Sequence, residues 1–107
     1  MSKTTTAKLV RDHIPDLIRA RGQTCEVSQL SVAQYRAALR AKLKEEAQEV
    51  AETELSELIS ELGDVLEVID ALLKAEGLTW TEVQAAQTRK RAERGGFEKR
   101  LMLLSIS

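Results

Sequence analysis

Residues 45–70 read EEAQEVAETELSELISELGDVLEVID and contain ten acidic residues but no lysine or arginine. The apolar residues of this stretch recur three and four positions apart, which is the spacing of one face of an α-helix. This pattern predicts two long helices, at about 31–53 and 55–75, joined by a turn near residue 55. The two helices therefore bring a dense set of carboxylates close to the point where the chain reverses.

Sequence signals for helix ends flank these two helices. Ser31 with Gln34 and Thr79 with Glu82 are capping-box pairs, which are typical of helix starts. The first pair opens the helix before the acidic stretch, and the second predicts a further helix that ends near Gly95. Three long helices are therefore expected.

The remaining segments predict smaller elements. A short helix is expected at about 14–21, because Pro15 suits a first helical turn and Gly22 can end the helix in a left-handed conformation. The sequence leaves room for a small two-stranded hairpin between about 24–28 and 98–105. The predicted fold class is all-α, a helical bundle of three long helices and one short N-terminal helix.

Composition limits the classes of function. The chain has 107 residues, which suits a single domain over residues 1–107. Sixteen Lys and Arg against seventeen Asp and Glu leave a net charge of −1, which argues against a nucleic-acid-binding protein. Helices so rich in leucine and alanine exceed what a monomer of this size can cover, so a homodimer or homotetramer is expected.

Cysteine content and hydropathy favour a cytoplasmic protein. Cys25 is the single cysteine and cannot form an internal disulfide. The start, MSKTTTAKLV, has no apolar signal core, and no run approaches the roughly 20 apolar residues that a membrane helix needs. We therefore expect no membrane partner.

Four acids lie on or at the edges of the helix faces where a bundle usually has apolar residues; Glu49 and Asp64 are the two at the edges. Glu46 falls on the apolar face of its helix and Glu61 on the apolar face of the next. An antiparallel hairpin that turns near residue 55 places Glu46 opposite Asp64 and Glu49 opposite Glu61. Carboxylates buried without partners are unfavourable, and hard oxygen ligands at this density suit Mg²⁺ or Mn²⁺. The pattern predicts a divalent-metal site.

Three motifs of this sequence carry a resemblance to a known group of proteins. EEAQE at 45–49 followed by ELGD at 61–64 resembles the EExxE…ExxD signature of the all-α, MazG-like nucleoside-triphosphate pyrophosphohydrolases. KLVRDHIP at 8–15 and RGGF at 94–97 are similar to the flanks of the short, phosphoribosyl-ATP pyrophosphohydrolase-like branch described as house-cleaning proteins. The resemblance covers about residues 8–98.

The resemblance implies Mg²⁺-dependent hydrolysis between the α- and β-phosphates of a nucleoside triphosphate. It implies that four acids hold the metal: Glu46, Glu49, Glu61 and Asp64. It also implies that Glu45 orients or deprotonates the attacking water, although Glu49 is an alternative for this role.

Basic residues outside the acidic stretch are candidates for binding phosphate. Lys8 and Arg11 precede a helix N-terminus, which is a favourable position for an anion. Arg91 and Arg94 precede the Gly95–Gly96 turn. The alternative for each of the four is a solvated surface charge that binds nothing. Phe97 and Trp80 are candidates for stacking on a nucleotide base. The alternative for both aromatic side chains is packing in a core or in a dimer interface.

Several functions remain open at this stage. The first expectation is a nucleoside-triphosphate pyrophosphohydrolase that removes modified or excess nucleotides. One alternative is phosphoribosyl-ATP pyrophosphohydrolase of histidine biosynthesis, since only the group attached to the triphosphate differs. Another is a non-catalytic helical dimer that binds metal or nucleotide, because binding and hydrolysis use the same carboxylates.

Overall fold

Four α-helices form in this computed structural model, which describes residues 7–107. They are α1, α2, α3 and α4, and span Ile14–Ala20, Val32–Glu52, Leu55–Glu76 and Trp80–Arg94. The all-α prediction is confirmed, and each helix lies within two residues of its expected bounds. No helix in residues 7–107 is long and apolar enough to cross a membrane.

Local capping explains where the long helices begin and end. The Ser31 hydroxyl accepts a hydrogen bond from the Gln34 backbone N–H, and the Gln34 side chain accepts one from the Ser31 N–H. Thr79 and Glu82 make the same reciprocal pair at the start of α4. Gly77 ends α3 with a φ of 69°, in the left-handed region where a side chain is unfavourable.

The residues fall into two compact units, one up to Gly77 and the other Leu78–Ser107. In the first unit, α2 and α3 pack against each other, and the two-residue link between them makes them antiparallel. The Arg36 Nε donates a hydrogen bond to the carbonyl of Ala75 at 3.1 Å, which fixes the register near the open end of the hairpin. This register agrees with the one expected from a turn near residue 55.

The core of the first unit is small. Its buried apolar side chains are Leu39 on α2 with Val68 and Leu73 on α3. Cys25 is half-buried, and its thiol lies 3.9 Å from the carbonyl oxygen of Pro15. Many other leucines and isoleucines of the chain remain exposed.

The two-stranded hairpin is a wrong prediction for the described residues, because neither 24–28 nor 98–105 forms a strand. A turn interrupts the second segment, where the Arg100 N–H donates to the carbonyl of Phe97 at 3.0 Å. Arg100 also has a φ of 56°, which is outside the extended region that strand pairing needs. An apolar segment therefore does not form a β-strand unless its backbone can also pair with another strand.

The second unit consists of α4 and the segment that follows it. Within it, the Gly95 N–H caps α4 by donating to the carbonyl of Arg91. The apolar residues of the last segment are strongly exposed, with Leu101 84% and Leu104 89% accessible. The expectation of one domain over residues 1–107 stays a prediction.

Candidate metal centre

Three carboxylates converge between α2 and α3 in the first unit. Glu46, Glu61 and Asp64 each offer one carboxylate oxygen, and these atoms lie within 4.8 Å of one another. Two of the three are three residues apart on α3 and so share one face of that helix, while the third faces them from α2. We call these three residues the acidic triad.

Burial and nearby carboxylates raise the proton affinity of Glu61. The pKa of Glu61 is raised above its ordinary value, first by partial burial and then by the neighbouring carboxylates of Glu49 and Asp64. The other charges that act on it, from Glu46 and Glu57, are also carboxylates. Such a site favours any cation that can neutralise it.

Two basic side chains, which lie outside residues 45–70, contact the triad. The Arg11 Nη2 lies 2.6 Å from the Asp64 Oδ1, and the Lys42 Nζ lies 3.2 Å from the Glu46 Oε1. Sequence analysis missed Lys42, although the i,i+4 spacing of Lys42 and Glu46 on one helix was a visible signal. The acidic stretch is therefore partly neutralised by residues that precede it.

The donor set of the triad fits a hard divalent cation. Three oxygens from half-buried carboxylates, with no histidine or cysteine among them, are the ligands that Mg²⁺ and Mn²⁺ prefer. Fewer than six protein oxygens also leave positions for water or for phosphate oxygens, as is usual for Mg²⁺ sites. The residues present are thus suited to the metal that this kind of signature implies.

A cavity of about 380 Å³ adjoins the triad. Glu46 and Asp64 lie in its wall beside Arg11, whereas Leu39 and Val68 supply apolar surface. The N-terminal segment 9–13 forms another part of the wall. We call this the main cavity; its wall combines charged groups for an anionic, metal-bound ligand with apolar surface for an organic group.

The two candidates for water activation have different surroundings. Glu45 is half-buried, and its Oε1 lies 3.3 Å from the Lys42 Nζ. Glu49 is exposed at the surface of α2 and lies close enough to Glu61 to influence its pKa. Glu49 is outside the group of three oxygens that the triad brings together, so its predicted part in metal binding stays a prediction.

Of the four predicted phosphate ligands, two belong to the first unit. Arg11 lines the main cavity, and Lys8 lines a second cavity of about 290 Å³ with Lys42 and Glu45 in its wall. Arg11 thus lies at the cavity wall with its guanidinium paired to Asp64, and the predicted phosphate-binding roles of Arg11 and Lys8 stay predictions.

The other candidates belong to the second unit, and their roles stay predictions. Arg91 pairs with Glu98, and this hydrogen bond lowers the pKa of the Glu98 carboxyl group. Arg94 is the last residue of α4, and Trp80, its first residue, is half-buried. Phe97 is 97% exposed, so its ring is accessible for stacking.

Comparison with known proteins identifies relatives of this chain. Residues 16–91 match the family model described as Phosphoribosyl-ATP pyrophosphohydrolase. An uncharacterized protein of Mycolicibacterium smegmatis is 57% identical over 44 residues, which are 41% of this chain and 45% of that protein. The match thus spans less than half the length of that relative. No solved structure matches the chain.

Proposed function

Because this chain belongs to the phosphoribosyl-ATP pyrophosphohydrolase family, we propose that it is a Mg²⁺-dependent nucleotide pyrophosphohydrolase. The reaction adds water to a nucleoside triphosphate and breaks the bond between its α- and β-phosphates, which gives a nucleoside monophosphate and pyrophosphate. The observation that carries this proposal is the acidic triad beside a cavity that also presents an arginine.

In this function Glu46, Glu61 and Asp64 hold the metal, with Glu49 as a further ligand. A triphosphate carries about four negative charges, so a group of carboxylates cannot bind it directly. Mg²⁺ held by these carboxylates would offset the phosphate charge and make the attacked phosphorus more electrophilic. Mn²⁺ is expected to substitute, since it also prefers oxygen ligands.

The chain's own acids activate the water in this proposal. Glu45 or Glu49 accepts the proton of the attacking water. The different surroundings of these two side chains suggest how their roles can be distinguished. Lys42 holds Glu45 in one position, whereas Glu49 is exposed beside Glu61. Glu45→Gln and Glu49→Gln should therefore differ: the variant that loses turnover while it keeps Mn²⁺ affinity identifies the base.

Basic and aromatic residues of each unit are further candidates for substrate binding. Arg11 and Lys8 of the first unit offer cationic donors to the phosphates, and Arg91 and Arg94 are assigned the same task from the sequence. Phe97 or Trp80 would stack on the base. Modified or excess nucleotides are the proposed substrates, in the cytoplasm.

A second candidate substrate is phosphoribosyl-ATP, which the description of the matched family favours. The bond cleaved and the metal chemistry are the same for both substrates. Growth without histidine, restored by this chain in a strain that lacks the histidine-pathway enzyme, would support this candidate, and no growth would remove it.

We assign a second copy of this chain as its partner. On α3, Leu55 and Ile59 are 86% and 87% exposed, and they lie on one face with Leu62 and Leu66. A row of exposed apolar side chains on one helix is unfavourable in water and is typical of an interface. A homodimer or homotetramer that buries this row is therefore part of the proposed function.

The test is release of pyrophosphate and nucleoside monophosphate from a panel of ordinary, deoxy and oxidised triphosphates. Mg²⁺ should support turnover, EDTA should abolish it, and Glu61→Gln should lower kcat/KM by about 100-fold or more, since a metal ligand is lost. Glu52→Gln, an acid on α2 outside the triad, is the matched control and should stay active. Nucleotide binding with no product would instead indicate a non-catalytic binding protein.

A further inference from the structure

Arg11 joins the segment before α1 to α3 through two carboxylates. Its Nη2 lies 2.6 Å from the Asp64 Oδ1, and its Nη1 lies 3.7 Å from the Glu67 Oε1. The two acids are three residues apart and therefore occupy neighbouring turns on one face of α3. The guanidinium can shift from one of them to the other while it remains at the wall of the main cavity.

One of these partners belongs to the acidic triad. The Asp64 carboxylate that accepts the arginine hydrogen bond also lies within 4.8 Å of Glu46 and Glu61. A divalent cation at the triad would therefore bind the same carboxylate that the Arg11 guanidinium contacts. The positive charges of the cation and the guanidinium repel each other at this separation. Each is expected to weaken the binding of the other.

The second basic residue of the site is held differently. The side chain of Lys42 is only 17% exposed and pairs with two acids of its own helix, Glu45 and Glu46. Arg11 is 55% exposed and comes from a segment outside the helices. An exposed ion pair contributes little net stability, so the Arg11 contact can be exchanged at small cost.

We infer that Arg11 is an exchangeable counter-ion of the metal site, which a divalent cation displaces from Asp64. The displaced guanidinium keeps its contact with Glu67, and the donors that faced Asp64 become available to an anion in the main cavity. Metal binding and phosphate binding are then coupled through one arginine. This inference rests on the metal site of the proposed function.

Calorimetric titration with Mn²⁺ alone tests the exchange. Arg11→Gln should lower the Kd for Mn²⁺ by about threefold to tenfold, because the competing charge is removed. Arg11→Lys keeps that charge and should stay within about twofold of the wild type. Arg19→Gln removes an exposed arginine that pairs with Asp16 away from the triad and should also match the wild type. Unchanged or weaker Mn²⁺ binding by Arg11→Gln would overturn the inference.

A second readout follows the side chain itself in the wild-type protein. The Nε–H signal of Arg11, assigned by its loss in Arg11→Gln, should shift in ¹⁵N NMR spectra during titration with diamagnetic Mg²⁺. The Arg19 signal should not move. A static Arg11 signal at saturating Mg²⁺ would overturn the exchange.

These experiments separate the inference from the proposed function. Tighter Mn²⁺ binding by Arg11→Gln with no turnover in the wild type would support the exchange and contradict the hydrolase. Turnover that depends on Mg²⁺, with equal Mn²⁺ affinity in the wild type and Arg11→Gln, would leave the hydrolase in place and contradict the exchange. No Mn²⁺ binding to the wild type would overturn both.

Discussion

At the scale of single residues, Lys42 contacts two neighbouring acids of its own helix. Its ammonium group lies 3.3 Å from Glu45 and 3.2 Å from Glu46, which are one helical turn further along α2. Burial lowers the pKa of Lys42, but the hydrogen bonds to Glu46 and Glu45 outweigh this effect, so the pKa is raised above its ordinary value. Lys42 therefore remains charged and holds both carboxylates in place.

Replacement of Lys42 by methionine keeps most of the apolar stem and removes the charge. The variant is expected to be less stable by about 0.5–1 kcal/mol at neutral pH, since two adjacent carboxylates lose their shared partner. Urea unfolding measures the difference, with Lys44→Met, an exposed lysine of the same helix, as the control. Equal losses in both variants would contradict the assigned role.

The Glu61 carboxyl group makes the free energy of unfolding depend on pH. Its pKa in the folded protein is raised by burial and by nearby carboxylates such as Glu49. A carboxyl group with a raised folded pKa favours folding at low pH, and this contribution is lost as the pH rises through the unfolded and then the folded pKa. Ionised Glu61 thus lowers stability at neutral pH when no metal compensates.

The corresponding prediction concerns thermal unfolding in EDTA. Glu61→Gln should have a higher Tm than the wild type at pH 7.5, because the repelled charge is absent. The difference should disappear toward pH 4, where the wild-type carboxyl group is itself neutral. With saturating Mn²⁺ at pH 7.5 the order should reverse, since a ligand that prefers the folded state stabilises the wild type. A constant Tm difference from pH 4 to 7.5 would contradict the assigned cause.

At the scale of elements, α3 carries two acids of the triad and a row of exposed apolar side chains. Its two glycines have different conformations. Gly77 ends the helix with a φ of 69°, whereas Gly63 lies inside the helix between Glu61 and Asp64. At both positions an added Cβ would meet nothing within 4 Å. Within this chain, the effects of alanine at Gly63 and Gly77 on stability therefore differ only through the backbone conformation at each position.

Gly77→Ala is expected to destabilise the protein by about 1 kcal/mol, because alanine disfavours the left-handed conformation. Gly63→Ala is expected to stabilise it by about 0.5–1 kcal/mol, because alanine is the better helix former. Denaturant unfolding of both variants checks the opposite signs. A loss of stability for Gly63→Ala, together with a change in oligomeric state, would place a second chain against this part of α3.

At the scale of the whole molecule, many large apolar side chains are exposed in the described residues. Only three apolar side chains are buried in the described residues, whereas Leu55, Ile59 and Leu66 of α3 are each more than half exposed. A core of this size supplies little stability by itself, so association with a second copy would supply additional burial.

Ile59→Asp tests this association by placing a charge within the apolar row of α3. Sedimentation of the wild type should show a species larger than the 11.9 kDa chain, and the variant should shift toward the monomer mass. Ser60→Asp adds the same charge at the next position of α3, off the row, and should sediment like the wild type. A wild type that sediments only at 11.9 kDa would contradict self-association.

The amino-acid sequence was sufficient to predict the helices, because their determinants are local. Apolar spacing, the Ser31 and Thr79 capping boxes and Gly77 each act within one or two helical turns. The two-residue link between α2 and α3 restricts their register, and Glu46 lies close to Asp64 as expected. Spacing therefore brought the three acids of the triad together, but it also included Glu49, which lies outside that group.

Contacts between distant parts of the chain depended on the tertiary structure. The pairing of Arg11 with Asp64 spans 53 positions, and no local pattern encodes the path of the segment that carries Arg11. The absence of the 24–28 and 98–105 strands has the same origin, because a strand needs a partner and its apolar sequence does not specify one. Local sequence thus determined the helices and the carboxylates that converge between them. Only the folded chain decided which cations neutralise those carboxylates, since charge pairing depends on distance in space.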